Sequence, residues 1–273
     1  MSKKIPMRLA IKSFQGFLEG TGRSANTCRN YVLDLEAFAE FCPTIDQITD
    51  GVIALFREAL KAQGLGANTR RRKLLTLSLF FKYLARRKKI DLLFARKMPA
   101  PHKVERIPET VPLADFKAAV LQLPQGPVRL LLWVMIETGC LVSELIKLHR
   151  NDWAVPILVI DKGCSRERTL VLSDNMLSSE LESMPQGSLF PGRTSVGCMS
   201  ARAVELVLAD LSPQLIGHHV TPRVLRHSVV RFWFEQGVGQ DEIKRRLGLK
   251  SNYAFKAYGA LLDPTFKEHP SPK

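Results

Sequence analysis

Thr221-Pro222-Arg223-Val224-Leu225-Arg226-His227-Ser228 opens a stretch that runs on through Leu247-Gly248-Leu249-Lys250-Ser251 to Tyr258. Its local reading is helical. Pro222 suits a first helical turn, where its missing N–H would have had no partner. One helix is expected from Pro222 to Gln236, ended by Gly237 and Gly239, and a second from Gln240 to Leu247. Arg223 and Arg226 stand three residues apart, so both guanidinium groups fall on one helical face and both can address one phosphate.

Outward from that stretch, the second half of the chain mixes helices with a little sheet. Leu113 to Leu123, Val128 to Gly139 and Ser200 to Leu211 read as helices. Ile157 to Ile160 and Thr169 to Leu172 read as short strands, with Asp161 to Arg168 as the turn between them. The first hundred residues read as helices throughout. Ser24 to Cys42 carries Tyr31, Leu35, Phe38 and Phe41 on one face, with Ser24 as N-cap. Thr49 to Gln63 turns Ile53, Phe56 and Leu60 inward. Gly64-Leu65-Gly66 breaks the chain, and Asn68 to Arg87 follows with Leu74, Leu77, Phe81 and Leu84 facing the core. The fold class is mainly α with a small β-sheet (α+β). A helical domain spans residues 1–98, a proline-rich linker 99–112, a mixed domain 113–260 and a C-terminal tail 261–273.

Charge narrows the function. Apolar residues make up 45% of the chain and charged residues 24%, an ordinary globular balance that can build a core. The 40 Lys and Arg against 26 Asp and Glu leave +14, which attracts a polyanion. Eleven of those cations fall between Thr69 and Lys97, against one acid, Asp91. A surface helix normally mixes signs, so this segment reads as facing phosphates, through Arg70, Arg71, Arg72, Lys73, Arg86, Arg87 and Lys88. The plain alternative is a solvated face. The longest apolar run, Leu130 to Ile136, falls far short of the roughly 20 residues of a membrane span. Met1 to Pro6 lacks the apolar core of a signal peptide. Five scattered cysteines form no CxxC pair, which fits reduced thiols in the cytoplasm.

Four stretches carry a resemblance: Thr138-Gly139-Cys140-Leu141-Val142-Ser143-Glu144-Leu145, Lys162-Gly163-Cys164-Ser165-Arg166-Glu167-Arg168, Thr221 to Ser228, and Leu247 to Ser251 leading to Tyr258. In order and spacing they resemble the tyrosine recombinases, the phage-integrase family that includes the Xer proteins. The resemblance covers nearly the whole chain. It implies a helical core-binding domain that clasps DNA, a linker and a catalytic-type domain, the two forming a C-shaped clamp on duplex DNA. It also implies self-association or a partner recombinase on DNA, with the tail exchanged between protomers through Leu261, Leu262 and Phe266. In that chemistry a tyrosine hydroxyl attacks a phosphodiester and forms a 3′-phosphotyrosine link, so religation needs no ATP. Two arginines and a histidine-type donor stabilise the charge that builds on the phosphate, and a turn lysine protonates the departing 5′-oxygen. No metal or other cofactor is called for.

The chain departs from that pattern. Leu141 stands where the family has its first arginine, and Leu249 where it has a histidine or tryptophan. Arg166 aligns with the turn lysine, with Lys162 close by, and Arg223 aligns with a histidine or lysine. Arg226 and Tyr258 match, and His227 follows as is common in the family without being the catalytic histidine. The candidate catalytic set is therefore Tyr258, Arg226, Arg223 and Arg166. Each has a plainer reading: a packed ring for Tyr258, a structural ion pair for Arg226, a solvated charge for Arg166. Two functions stay open. One is an integrase-type recombinase that cuts and rejoins DNA, weakened or partner-dependent. The other is a non-catalytic DNA-binding accessory or regulatory factor of a plasmid or mobile element.

Overall fold

The computed structural model describes residues 4–96, 98, 100–102, 104, 108–172, 180–181, 184, 186–192, 197–251 and 255–262. The linker positions Pro99, Lys103 and Arg106, and the tail from Asp263 on, including Phe266, lie outside the described residues. The chain divides into two compact units, Met1–Arg106 and Ile107–Lys273.

The first unit is helical: α1 Met7–Gly20, α2 Ala25–Ala39, α3 Asp50–Ala62, α4 Ala67–Arg86 and a single turn, α5, Leu93–Arg96. Its core is aromatic. Phe38 meets Phe56 and Phe81 edge to face at ring distances of 5.2 and 5.8 Å, and Phe14 meets Phe80 at 5.4 Å. Such rings combine large buried area with a preference for edge contacts. Ser24 caps α2 by accepting from Thr27 N–H, and Thr49 caps α3 by accepting from Val52 N–H. Of the face expected on α2, Leu35 and Phe38 are buried. Phe41 lies beyond the helix end, partly exposed, with its ring against Phe56 at 5.4 Å.

The second unit begins with α6, Leu113–Leu121, and α7, Pro127–Thr138. Every residue of α7 from Leu130 to Ile136 is buried, so this helix is the hub of the core. Its apolar run is all-round rather than one-sided, as a fully enclosed helix requires. A short α8, Val142–Leu145, leads to the antiparallel sheet β1-β2-β3, formed by Trp153–Ala154, Ile157–Ile160 and Arg168–Val171. Ile157 pairs with Val171 and Ile160 with Arg168, which makes Arg168 an inward-facing strand residue. Next come α9 Ala201–Ile216, α10 Pro222–Glu235, α11 Gln240–Arg246 and a 3-10 turn, Lys256–Leu261. The fold is thus mainly α with a small sheet.

The structure corrects three expectations. The helix expected to stop at Leu211 runs to Ile216 through Pro213. Leu211, Leu215 and Ile216 pack on the core and carry it past the proline, and Gly217 in the left-handed region then ends it. The strand β1 was not read from the sequence at all. Leu261 and Leu262, read as anchors offered to another protomer, are both 8% exposed and belong to the core of their own unit.

Candidate active site and nucleic-acid interface

Helix α10 builds the site. Thr221 caps it by accepting from Val224 N–H, and Pro222 occupies its first turn. That phase turns Arg226 inward, 7% exposed, and leaves Arg223, one turn earlier, exposed. Arg226 then reaches three other elements. Its Nε–H donates to the Tyr258 hydroxyl at 3.0 Å. Its Nη1 donates to the carbonyl of Gly139 at the end of α7, and its Nη2 to that of Leu247 at the end of α11, at 3.2 Å. A guanidinium has five N–H donors in a rigid plane, so two remain for a further acceptor. Gly139 sits at φ 55°, and a Cβ there would meet Val229 at 3.2 Å, so glycine is required for this turn to lie against α10.

Tyr258 is buried, its ring edge to face with His227 at 5.7 Å and tilted against Phe255 at 5.9 Å. The Tyr258 ring is packed, as its plain reading has it, while Arg226 is held by a hydroxyl and two carbonyls and by no carboxylate among the described residues, so it is not the ion pair of its plain reading. What they share is a direct hydrogen bond between hydroxyl and guanidinium. Burial, aided by the charges of Arg223 and Arg226, pushes the His227 imidazole down to about 4, so it is neutral at pH 7.

A second buried group adjoins the first. Glu144 on α8 accepts from Arg168 Nη1 at 3.1 Å and Nη2 at 2.7 Å, and from Leu141 N–H at 2.9 Å. Burial alone would raise the Glu144 carboxyl, but Arg168 outweighs it and holds the group below its ordinary range. Arg168 Nε–H also donates to the Arg246 carbonyl at 2.6 Å. Two arginines thus take the consecutive carbonyls of 246 and 247, where α11 ends. Gly248, at φ 66°, completes that end, and a Cβ on it would lie 2.9 Å from Arg168 Nη1. Sequence reading placed Glu144 and Arg168 inside the quoted motifs without giving either a role. The available signals were an acid inside an otherwise apolar helix turn and an arginine on the inward parity of a strand.

Arg166 is exposed on the turn between β2 and β3, its carbonyl 3.4 Å from Arg168 Nη1. Lys162, on the same turn, is exposed and lies 3.7 Å from an Asp152 oxygen. Leu141 is half-buried, while Leu249 packs against the core. The structure therefore brings Arg226 and Tyr258 into contact, with the Gly139 and Leu247 carbonyls on the same guanidinium, while Arg168 at the end of the β2–β3 turn ties that turn to Glu144 and to the Arg246 carbonyl.

In the first unit, α4 sorts its cations. Asp34 on α2 is buried and pairs with Arg72 and, at 3.2 Å, with Lys73; Thr76 Oγ1 also donates to it at 3.1 Å. The one-signed reading of α4 is corrected there, because an acid from another helix relieves these two charges. Arg71 donates to the Pro101 carbonyl at 2.7 Å, and Arg70 is half-buried beside Arg57 and Lys61. Arg86 and Lys88 are exposed. Arg87 is exposed too, stacks over Tyr83 at 4.4 Å and donates to Ser13 Oγ at 3.2 Å. No helix among the described residues is long and apolar enough to cross a membrane.

Comparison with known proteins adds the following. Residues 11–88 match the family model described as phage integrase, N-terminal SAM-like domain. The chain is 29% identical over 265 residues to tyrosine recombinase XerC of Xylella fastidiosa, covering 89% of this chain and 88% of the relative. It is 26% identical over 255 residues to a tyrosine recombinase XerD-like protein of Streptococcus uberis, covering 92% and 100%. Among solved structures, a lambda integrase dimer bound to a COC′ core site superposes with a TM-score of 0.75 at 18% identity, over 99% of this chain and 81% of that one. XerH site-specific recombinase bound to difH substrate superposes at 0.68 and 15% identity, over 92% and 81%. These likenesses extend the shared fold across both units.

Proposed function

Because this chain belongs to the tyrosine recombinase family, we propose that it is a site-specific DNA-binding protein of the integrase type that cuts and rejoins DNA through a 3′-phosphotyrosine at Tyr258. The contact that carries the reading is Arg226 Nε–H on the Tyr258 hydroxyl at 3.0 Å. That hydrogen bond orients the hydroxyl oxygen and sets a positive charge beside it. Attack of the Tyr258 oxygen on phosphorus forms the phosphotyrosyl ester as the bond to the 5′-oxygen breaks, the phenol proton passing to solvent and the 5′-oxygen taking one up. The reverse attack by a 5′-hydroxyl restores the DNA. The two remaining N–H donors of Arg226, with Arg223, address the non-bridging oxygens.

Proton delivery to the 5′-oxygen falls to Lys162 on the β2–β3 turn. Arg166 contributes charge and no proton, since a guanidinium does not deprotonate in proteins. The protein works on double-stranded DNA in the cytoplasm, as several copies or beside a partner recombinase, with the free cations of α4 on the phosphate backbone.

A second reading is favoured by a specific observation: apolar side chains, Leu141 and Leu249, occupy two donor positions. In that reading the fold is kept for DNA binding alone, as an accessory or regulatory factor of a plasmid or mobile element. One experiment separates the two. A binding site is selected from randomised duplexes, rebuilt with a nick that lets the 5′ fragment diffuse away, and scored for a covalent protein adduct. The recombinase reading expects an adduct that Tyr258→Phe abolishes. Tight site-specific binding without any adduct selects the accessory reading, and no duplex binding at low salt overturns both.

A further inference from the structure

One cleft of the first unit, about 390 Å³ in volume, is lined by three cations: Arg57 and Lys61 from α3 and Arg70 from α4. They share it with Leu60, Leu74 and Pro101. The wall that carries Pro101 is fastened to α4. Arg71 donates to the Pro101 carbonyl at 2.7 Å, and Asn68 donates from Nδ2 to the Val104 carbonyl at 2.9 Å and accepts from Val104 N–H at 3.0 Å. The cleft is thus held in shape by side chains other than those that charge it.

That charge is not balanced from within. Glu58 on α3 pairs with Lys61 at 2.7 Å. Arg57 and Arg70 are half-buried, and neither has an ion pair or a hydrogen bond among the described residues. The Arg70 Nε is enclosed without a partner. Both guanidinium groups are felt at Glu58, whose carboxyl is held below its ordinary value by Lys61 first and then by Arg57 and Arg70. Farther along α4 the buried Asp34 answers Arg72 and Lys73. Here no described carboxylate does the same for Arg57 and Arg70. Like charges that line one cleft repel, and an enclosed N–H without a partner is costly. An anion with several acceptor oxygens relieves both.

We propose that this cleft seats a single phosphate group of the duplex backbone, held by Arg57 and Arg70 together. The fork of a guanidinium matches two phosphate oxygens. Leu60, Leu74 and Pro101 offer an apolar surface to the adjoining deoxyribose. The inference rests on the reading of this chain as a DNA-binding protein. It brings α3 into the interface, outside the cation-rich segment of residues 69–97.

The test is the affinity of the full chain for a short random-sequence duplex, measured by fluorescence anisotropy over a range of salt. Arg57→Gln with Arg70→Gln is expected to lower the slope of log affinity against log salt by about 0.9, because the two arginines share one phosphate. Two independent contacts would lower it by about 1.8. Arg70→Lys keeps the charge and loses the fork. It is expected to weaken binding about tenfold, the weight of one charge-assisted hydrogen bond, with the slope unchanged. Far-ultraviolet circular dichroism checks the helices of each variant. A measurement on wild type needs no variant to fold: duplex should protect Arg57 and Arg70 from phenylglyoxal, read by mass spectrometry. An unchanged slope in the double variant, or a fall near 1.8, overturns the seat. So does an Arg70→Lys protein that binds as wild type does, or a bound duplex that leaves both arginines reactive. Protection by inorganic phosphate but not by duplex also overturns it, in favour of a free anion. A wild type that binds no duplex at low salt sinks the DNA reading and the seat together. Binding without adduct sinks the recombinase reading alone, and the slope and the footprint still decide the seat.

Discussion

In the second unit Arg129, Arg168 and Arg226 are 6–7% exposed, and each is held by partners inside the fold: Glu180, Glu144, and the Tyr258 hydroxyl with two carbonyls. In the first unit Arg86 and Arg87 stand on the surface, and Arg71 spends one donor on a carbonyl. The same side chain does different work in the two places. A buried guanidinium is tolerated when hydrogen bonds and charge replace the water it has lost, so it becomes a joint between elements. An exposed one keeps its water and contributes field, which a polyanion can use. Asp34, with Arg72 and Lys73, is the one place described in the first unit where the buried pattern recurs.

The largest effect should come from breaking a joint. Arg168→Ala would leave the Glu144 carboxylate buried and unpaired, and free the Arg246 carbonyl. Loss of one partner from a buried pair costs about 3–5 kcal/mol. Urea unfolding followed by tryptophan fluorescence, which Trp133, Trp153 and Trp233 give to the second unit alone, should show that loss. A change below about 1 kcal/mol, the range of exposed pairs, would mean the pair is surface-like and the contrast between the units fails.

Next is the gain of chemistry. Leu141→Arg with Leu249→His returns two donors to the site. Leu141 is half-buried and is not among the residues packed on the core, so an arginine there need not be desolvated; Leu249 packs against it. Each donor is worth about 2.7–4 kcal/mol of transition-state stabilisation when correctly placed. The double variant should form adduct at least about a hundredfold faster than wild type, one donor's worth, and Tyr258→Phe should remove it. A folded, DNA-binding double variant without that gain would show that Arg226 is now a structural joint alone.

Much of this was legible in the sequence. The glycine and proline punctuation of residues 221–239 gave α10 nearly to the residue, because capping and the missing proline N–H are local effects. The four motifs led to Arg226 and Tyr258, which the fold brings together across 32 positions. What the sequence hid was pairing at a distance. Asp34 precedes Arg72 by 38 residues, and no local charge count could enlist it. Arg168 looked like a turn residue until its strand parity turned it inward. Leu261 and Leu262 read as loose because the prolines after them suggested a tail, yet apolar side chains next to an open core edge fold back on their own unit.

A third effect concerns pH. His227 is held at about 4 against an ordinary 6.5, first by burial and then by Arg223 and Arg226. Its folded form is neutral, and below pH 6.5 the unfolded chain takes up a proton that the folded one refuses. The stability tied to this group is full above 6.5 and is lost as pH falls toward 4, by about 3 kcal/mol in all. Glu144, held below its ordinary value of 4.5, adds a further loss that begins as pH falls through that value and continues below it. Melting of the second unit should thus weaken between pH 6.5 and 4, and His227→Gln should flatten that interval. If the variant follows the wild-type curve, His227 is already hydrated.

The smallest change in stability should accompany the clearest change in DNA binding, on α4. Arg71→Ala, Arg86→Ala and Arg87→Ala each remove a cation that no described carboxylate pairs with. Arg86→Ala, a surface substitution, should alter unfolding by no more than about 0.5 kcal/mol, and Arg71→Ala and Arg87→Ala, which also lose a hydrogen bond, by about 1 kcal/mol. If each neutralises one phosphate, it should lower the slope of log affinity against log salt by about 0.9 and weaken specific and random duplexes alike. Arg72→Ala makes the contrast sharp. Its side chain is 47% exposed yet its guanidinium is tied to Asp34, so its loss should register in unfolding more than in the salt slope. If Arg72→Ala instead lowers the slope as far as Arg86→Ala does, the Asp34 pair opens when DNA binds, and the whole of α4 from residue 70 onward faces phosphate.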